Sequence, residues 1–231
     1  ELITVDHIEA HMYAVFLEGK NPQYPFLGLL LSGGNSAIFR VEGPQQMELL
    51  GTTMDDALGE AFDKAASVLG LPYPGGPHVE KLALGYEKEN PEAASLPSRF
   101  PRLLKDLPSD RIAFSYSGIK TAVLQAAGNS DDTAGICYDF QRTSFELVTR
   151  MLSRATKLTG LKTVVASGGV LASGSLRKEI STLAAKEGLE LYYPEDRRLC
   201  TDNAAMVGAL GYRLWKAGVR SELDFPVSSR R

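Results

Sequence analysis

A chain of 231 residues with 44% hydrophobic residues and a formal net charge of -3 holds enough apolar material for one large or two small soluble domains. No apolar run approaches the roughly 18 residues of a membrane span, and the first residues do not read as a signal peptide. Two cysteines, Cys137 and Cys200, suit a reducing, cytoplasmic setting better than a disulfide framework. The mild acidity argues against holding phosphate by bulk charge, though a local basic patch can still meet nucleic acid.

The chain opens with His7-Ile8-Glu9-Ala10-His11, which holds two of its three histidines; His78 is remote. Four-residue spacing on a helix places both imidazoles on one face, where they can grip one metal ion. Such a site needs at least one further ligand, usually a carboxylate. The pattern is not the zinc-peptidase His-Glu-x-x-His. Glu9 follows one residue later than that motif requires and points away from the shared face, a poor position for a general base.

Residues 26–31 form a continuous apolar run that ends in Ser32-Gly33-Gly34, and residues 37–41 alternate, so a buried strand, a glycine turn and a second strand are expected. Helical periodicity covers residues 55–70, with Gly70 as the stop. On this helix Asp56, Glu60 and Asp63 fall at i, i+4 and i+7 beside Gly59. A glycine inside a helix costs about 1 kcal/mol relative to alanine, which points to close packing or to a ligand lying against it. Asp63 sits nearest the loop Leu71-Pro72-Tyr73-Pro74-Gly75-Gly76-Pro77 and is placed to bond ribose hydroxyls.

Residues 90–111 read as a surface excursion. Helices are expected over 117–127 and 136–158, a strand over 163–166 ending in Ser167-Gly168-Gly169, a helix over 175–187, a strand over 189–193 and a last helix over 202–217. The alternation gives an α/β layered domain. Two Ser-Gly-Gly turns at strand ends suit a nucleotide cleft, because paired glycines let backbone N–H groups approach an anion. In Cys200-Thr201-Asp202-Asn203-Ala204-Ala205-Met206, Asp202 is either a helix cap (as is Thr201) or the missing third metal ligand.

Together these segments resemble the TsaD family of tRNA threonylcarbamoyladenosine synthesis, once labelled O-sialoglycoprotein endopeptidases. The likeness also runs through Asp55-Asp56-Ala57-Leu58-Gly59-Glu60-Ala61-Phe62-Asp63-Lys64, Phe114-Ser115-Tyr116-Ser117-Gly118-Ile119-Lys120-Thr121 and Gly168-Gly169-Val170. It implies an actin-like ATPase (ASKHA) fold of two lobes around a nucleotide cleft. Residues 1–25 would be a remnant of the first lobe carrying the His pair. Residues 26–231 would be the second lobe, with the C-terminal helix returning to the first. Bacterial affiliation is expected. Members usually begin roughly a hundred residues earlier, about the size of a domain, with a glycine-rich strand absent here.

The resemblance further implies transfer of a threonylcarbamoyl group from threonylcarbamoyl-adenylate to N6 of the adenosine 3′ of the anticodon in tRNAs reading ANN codons. It implies one iron or zinc ion on His7, His11 and Asp202, and adenylate contacts from Leu30, Leu31, Ser32, Gly33, Gly34, Asp63, Gly76, Glu80 and Ser173. Partners would be tRNA, a smaller paralogous ASKHA subunit and a P-loop ATPase, with no membrane. Asn35, Ser173 and Glu80 depart from the family's usual histidine, asparagine and aspartate. A metal-dependent glycoprotein endopeptidase and a catalytically impaired scaffold subunit are the alternatives.

Overall fold

The computed structural model describes residues 1–225. Five strands, β1 (Phe26–Leu31), β2 (Ser36–Gly43), β3 (Gln46–Thr52), β4 (Thr163–Ser167) and β5 (Glu190–Tyr192), make one sheet in the order β3-β2-β1-β4-β5. The pairs β3-β2 and β2-β1 are antiparallel; β1-β4 and β4-β5 are parallel. The central strand β1 is buried along its whole length, which is why its sequence is an uninterrupted apolar run.

Alternate residues of β1 feed two cores. Phe26 and Leu30 face one side, where α1 (His7–Tyr13) and α7 (Ala204–Lys216) supply Met12, Tyr13, Met206, Leu210 and Leu214. Here α1 lies so close that a Cβ on Gly28 would stand 2.8 Å from Met12 Sδ. Leu27, Leu29 and Leu31 face the other side. That core takes side chains from α2 (Leu58–Val68), α3 (Gly75–Glu89), α4 (Ser117–Asn129), α5 (Thr133–Thr159) and α6 (Gly174–Glu187). Residues 1–25 therefore pack directly on the sheet and α7, and Leu2 pairs with Ser221 across the two ends of the described chain.

Three expectations need correction. The helix expected from residue 55 starts at Leu58, so Asp56 precedes it and does not share a helical face with Glu60 and Asp63. Lys64 instead draws Asp56 and Glu60 together by ion pairs of 2.5 and 2.8 Å. The segment taken as a Pro-Gly-Gly loop runs straight into α3: Gly75, Gly76 and Pro77 are its first turn, where proline's missing N–H costs nothing. Strand β3 was not foreseen, because this edge strand is largely exposed and carries register shifts against β2 that blur its alternation.

The excursion over residues 90–111 holds as a surface segment, and α5 pins it. Arg142 donates to the carbonyls of Ala93 and Leu96, Arg150 to that of Leu103, and Arg154 to those of Pro108 and Arg111. No helix of the described residues is long and apolar enough to cross a membrane.

Candidate metal and nucleotide site

Both Ser-Gly-Gly turns leave the carboxyl ends of neighbouring parallel strands, with Leu30 of β1 paired to Ser167 of β4. That is the place where open α/β sheets collect ligands. In the first turn, Ser32 Oγ accepts from Asn35 N at 3.0 Å, so Asn35 closes the turn through its backbone. Gly33 and Gly34 are exposed, and a Cβ on either would meet open space. In the second turn Gly168 has φ 99°, and a Cβ there would lie 2.3 Å from the Leu31 carbonyl oxygen. Only glycine fits that position.

Gly59 is explained by the same crowding. Its Cβ would stand 2.9 Å from both Gly33 Cα and Ser32 O, and its N–H donates to Ser32 O at 3.3 Å. The first turn of α2 thus supports the glycine turn from below. Leu30 and Leu31 are wholly buried, so their side chains belong to the two cores and only backbone remains to meet a ligand.

The histidines lie on α1, whose start is capped by Asp6 accepting from Glu9 N at 2.8 Å. Ser167, fully buried at the end of β4, donates to the His11 carbonyl at 2.7 Å and fixes α1 to the turn. Nε2 of His11 and Nε2 of His7 stand 3.1 and 3.3 Å from the same oxygen, Oδ1 of Asp202. The ligand atoms of the three residues all lie within 4.8 Å of one another. The cap of α7 is Asn203, which accepts from Met206 N at 2.9 Å. Asp202 is therefore not spent on the helix end, and its carboxylate meets the two histidines instead.

The donor set fits a divalent ion. Burial, then the neighbouring His7, hold the His11 imidazole below its ordinary pKa against the pull of Asp202, favouring the neutral form that ligates metal. His11 Nδ1 is sealed away without a hydrogen-bond partner, so the ring's polar contact is made through Nε2 alone. Two imidazoles and a carboxylate suit iron or zinc, and three protein ligands leave coordination positions open. His7 at 53% and Asp202 at 78% side-chain exposure give that open side access to solvent, while His11 at 3% anchors it. Glu9 is buried and accepts from Gln45 N at 2.7 Å, turned into the fold and away from the triad.

Of the other expected contacts, Glu80 lines a cavity of about 810 Å3 between α3, α5 and α6, while Asp63, Gly76 and Ser173 do not. Glu80 of α3 accepts from Ser173 Oγ at 2.9 Å and from Ser175 N at 2.7 Å, joining α3 to the start of α6. Ser173 also caps α6, accepting from Leu176 N at 3.1 Å. Asp63 Oδ1 is engaged with Gly75 N at 2.7 Å, while Gly76 faces open space. The triad does not line this cavity. The chain segment Arg197–Asp202 links the two: Arg197 is on the cavity wall, and Thr201 lies against Gly169 of the second turn. Ser167 and Gln141, which also lines the cavity, escaped sequence reading. The Ser-Gly-Gly turn flagged Ser167 only through its glycines, and nothing in α5 flags Gln141.

An α/β lobe with glycine turns at the ends of two neighbouring parallel strands has the fold of the actin-like ATPase type. Solved structures agree on the fold. Full-length HypF in its phosphate- and nucleotide-bound form matches 94% of this chain and 36% of its own at 14% identity, TM-score 0.68. Component A of the (R)-2-hydroxyglutaryl-CoA dehydratase of Acidaminococcus fermentans matches 93% of this chain and 70% of its own at 18% identity, TM-score 0.51.

The family model described as TsaD, tRNA N6-adenosine threonylcarbamoyltransferase, matches residues 1–209. A protein of that description from Leptospira interrogans is 47% identical over the whole of this chain, which covers 68% of it. Relatives of the same description from Symbiobacterium thermophilum and Geobacter sp. (strain M21) are 44% and 42% identical over 96% of this chain, which covers 64% of each. The chain belongs to the TsaD family of tRNA N6-adenosine threonylcarbamoyltransferases. It spans about two thirds of the length of these relatives.

Proposed function

We propose that this chain takes part in moving a threonylcarbamoyl group from threonylcarbamoyl-adenylate to N6 of the adenosine 3′ of the anticodon in tRNAs reading ANN codons. The observation that carries this is the approach of His7, His11 and Asp202 to one point beside two strand-end glycine turns. In a nucleotide-cleft fold, a metal at that point and an adenylate on the turns lie close together.

The residues divide the work. The exposed turn at Gly33 and Gly34 would offer backbone amides to the acidic part of the adenylate. Glu80, Ser173 and Gly76 would meet the nucleoside end, and Asp63 sets the start of α3 that carries Gly76 and Glu80. His7, His11 and Asp202 would hold an iron or zinc ion, which would supply Lewis-acid chemistry to the substrate when bound. The acceptor amine attacks the carbamoyl carbon, the bond to the phosphate oxygen breaks and AMP leaves, so alignment of the two substrates is the chain's main contribution.

Burial of Glu9 and its hydrogen bond from Gln45 N disfavour the peptidase alternative, since this carboxylate is turned away from the triad. A smaller paralogous ASKHA subunit and a P-loop ATPase would complete the assembly, in the cytoplasm. The test is nucleoside mass spectrometry of an ANN-reading tRNA transcript incubated with the chain, those partners and threonylcarbamoyl-adenylate. Threonylcarbamoyladenosine that depends on His11 supports the assignment; unmodified tRNA, or metal-dependent peptide cleavage in its place, overturns it.

A further inference from the structure

Asp202 stands on residues 193–203, the connection between β5 and α7, where the 3-10 turn Arg197–Leu199 is the one regular piece. Its carboxylate is 78% exposed, so surrounding side chains do little to hold it against the histidines. An exposed connection of this kind moves unless it is tied down, and a metal ligand needs a fixed place. Arg177, at the start of α6, supplies the tie. Its side chain is 12% exposed. Nε donates to the Leu171 carbonyl at 2.6 Å and Nη2 to that of Pro194 at 2.8 Å. Nη2 also approaches Cys200 Sγ at 3.2 Å, and the guanidinium carbon lies 4.7 Å from the centre of the Tyr193 ring. Only Thr201 separates Cys200 from Asp202.

We infer that Arg177 is a positioning residue for the metal site, acting through the connection that carries Asp202. This rests on the triad proposed above and deepens it by naming what holds its third ligand. Leu171 belongs to the 3-10 turn Gly169–Ala172, which continues the second glycine turn. One guanidinium therefore joins that turn to the metal side and fixes the spacing between them. The planar fork reaches carbonyls on two separate segments at once, which a lysine ammonium on its flexible stem does not reproduce. Glu18 holds the connection from its other side, accepting from the amides of Glu195 and Asp196 at 2.9 and 2.8 Å.

The experiment is titration of the chain with Co2+, read by its ligand-field absorption, in wild type, Arg177→Met and Arg177→Lys, and in Asp202→Ala with and without Arg177→Met. Arg177→Met is expected to weaken Co2+ binding about tenfold, the lower end of what groups behind the ligands contribute to metal affinity. Arg177→Lys recovers part of the loss. In the Asp202→Ala background, where only the histidines remain, Arg177→Met is expected to change the affinity less than about twofold, because the ligand it positions has gone. A merely structural role would weaken both backgrounds equally.

Wild-type affinity in Arg177→Met, or an equal loss with and without Asp202, overturns the inference while leaving the metal triad in place. A wild-type chain that takes up no Co2+ overturns the triad and the inference with it. If Arg177→Met fails to fold, Glu18→Ala loosens the same connection from its other side. A Co2+ affinity that then falls several-fold only where Asp202 is present supports the proposal; an affinity unchanged, or lowered equally without Asp202, contradicts it.

Discussion

The hydroxyl of Ser167 donates to the carbonyl of His11, 156 residues earlier in the chain, at 2.7 Å in a fully buried setting. One hydrogen bond thus ties the strand end that begins the second glycine turn to the helix that carries both histidines. Ser167→Ala leaves the His11 carbonyl without that partner, at an expected cost of about 1–2 kcal/mol. Chemical denaturation measures it. Metal retention should also weaken several-fold, since groups that orient ligands matter almost as much as the ligands. A variant as stable as wild type and equally metal-loaded would break this link.

The glycine turns make a contrasting pair. Gly168→Ala forces a side chain to a φ of 99° and to within 2.3 Å of the Leu31 oxygen, so a loss of about 2–4 kcal/mol is expected. Gly34→Ala meets open space and should stay within about 0.5 kcal/mol of wild type in stability. Its effect belongs instead to ligand approach, seen as weaker adenylate binding. Thermal unfolding of the two variants side by side, with AMP titrations of Gly34→Ala, separates the roles.

Gly59→Ala reverses a usual rule. Alanine in a helix normally gains about 1 kcal/mol over glycine, yet here the added methyl would press on Ser32 and Gly33 at 2.9 Å. A net loss of stability is expected, of about 1 kcal/mol or more. Stabilisation on circular dichroism melts would show that the first turn yields freely.

Much of the fold was legible because its signals are local. The apolar run of β1 and the long stripe of α5 each follow from neighbouring residues. The His pair was legible for the same reason, while the position of Asp202 left it open between helix cap and third ligand. What stayed hidden depends on distant partners. Strand β3 exists because β2 offers an edge, and α3 swallows a Gly-Gly-Pro that looks like a breaker. The cap of α7 shifted by one residue, from Asp202 to Asn203, and that single step releases the carboxylate for the histidines.

Asp55 carries a pH dependence away from the metal. Burial raises its pKa, but hydrogen bonds from the Ser115 hydroxyl, the Tyr116 amide and the Ser117 hydroxyl and amide outweigh this and hold it below the ordinary carboxylate value. A depressed folded pKa means the unfolded chain binds the proton first as pH falls. The stabilisation is then complete above the unfolded value near 4 and fades as pH drops through the lower folded value. Asp55→Asn should lose about 1 kcal/mol at pH 7, a figure reduced for the group's exposure. The gap to wild type should narrow toward pH 3. Urea melts across that range, showing a gap that instead widens in acid, would contradict the assignment.

The central claim is that His7, His11 and Asp202 hold one metal ion between α1 and the start of α7. Metal content per chain, measured by plasma mass spectrometry after anaerobic purification, tests it directly alongside His11→Ala and Asp202→Ala. The structure predicts close to one iron or zinc per wild-type chain and a loss of most of it in both variants, with the fold retained on circular dichroism. Metal-free wild type under those conditions, or variants that keep the ion at full stoichiometry, would contradict it.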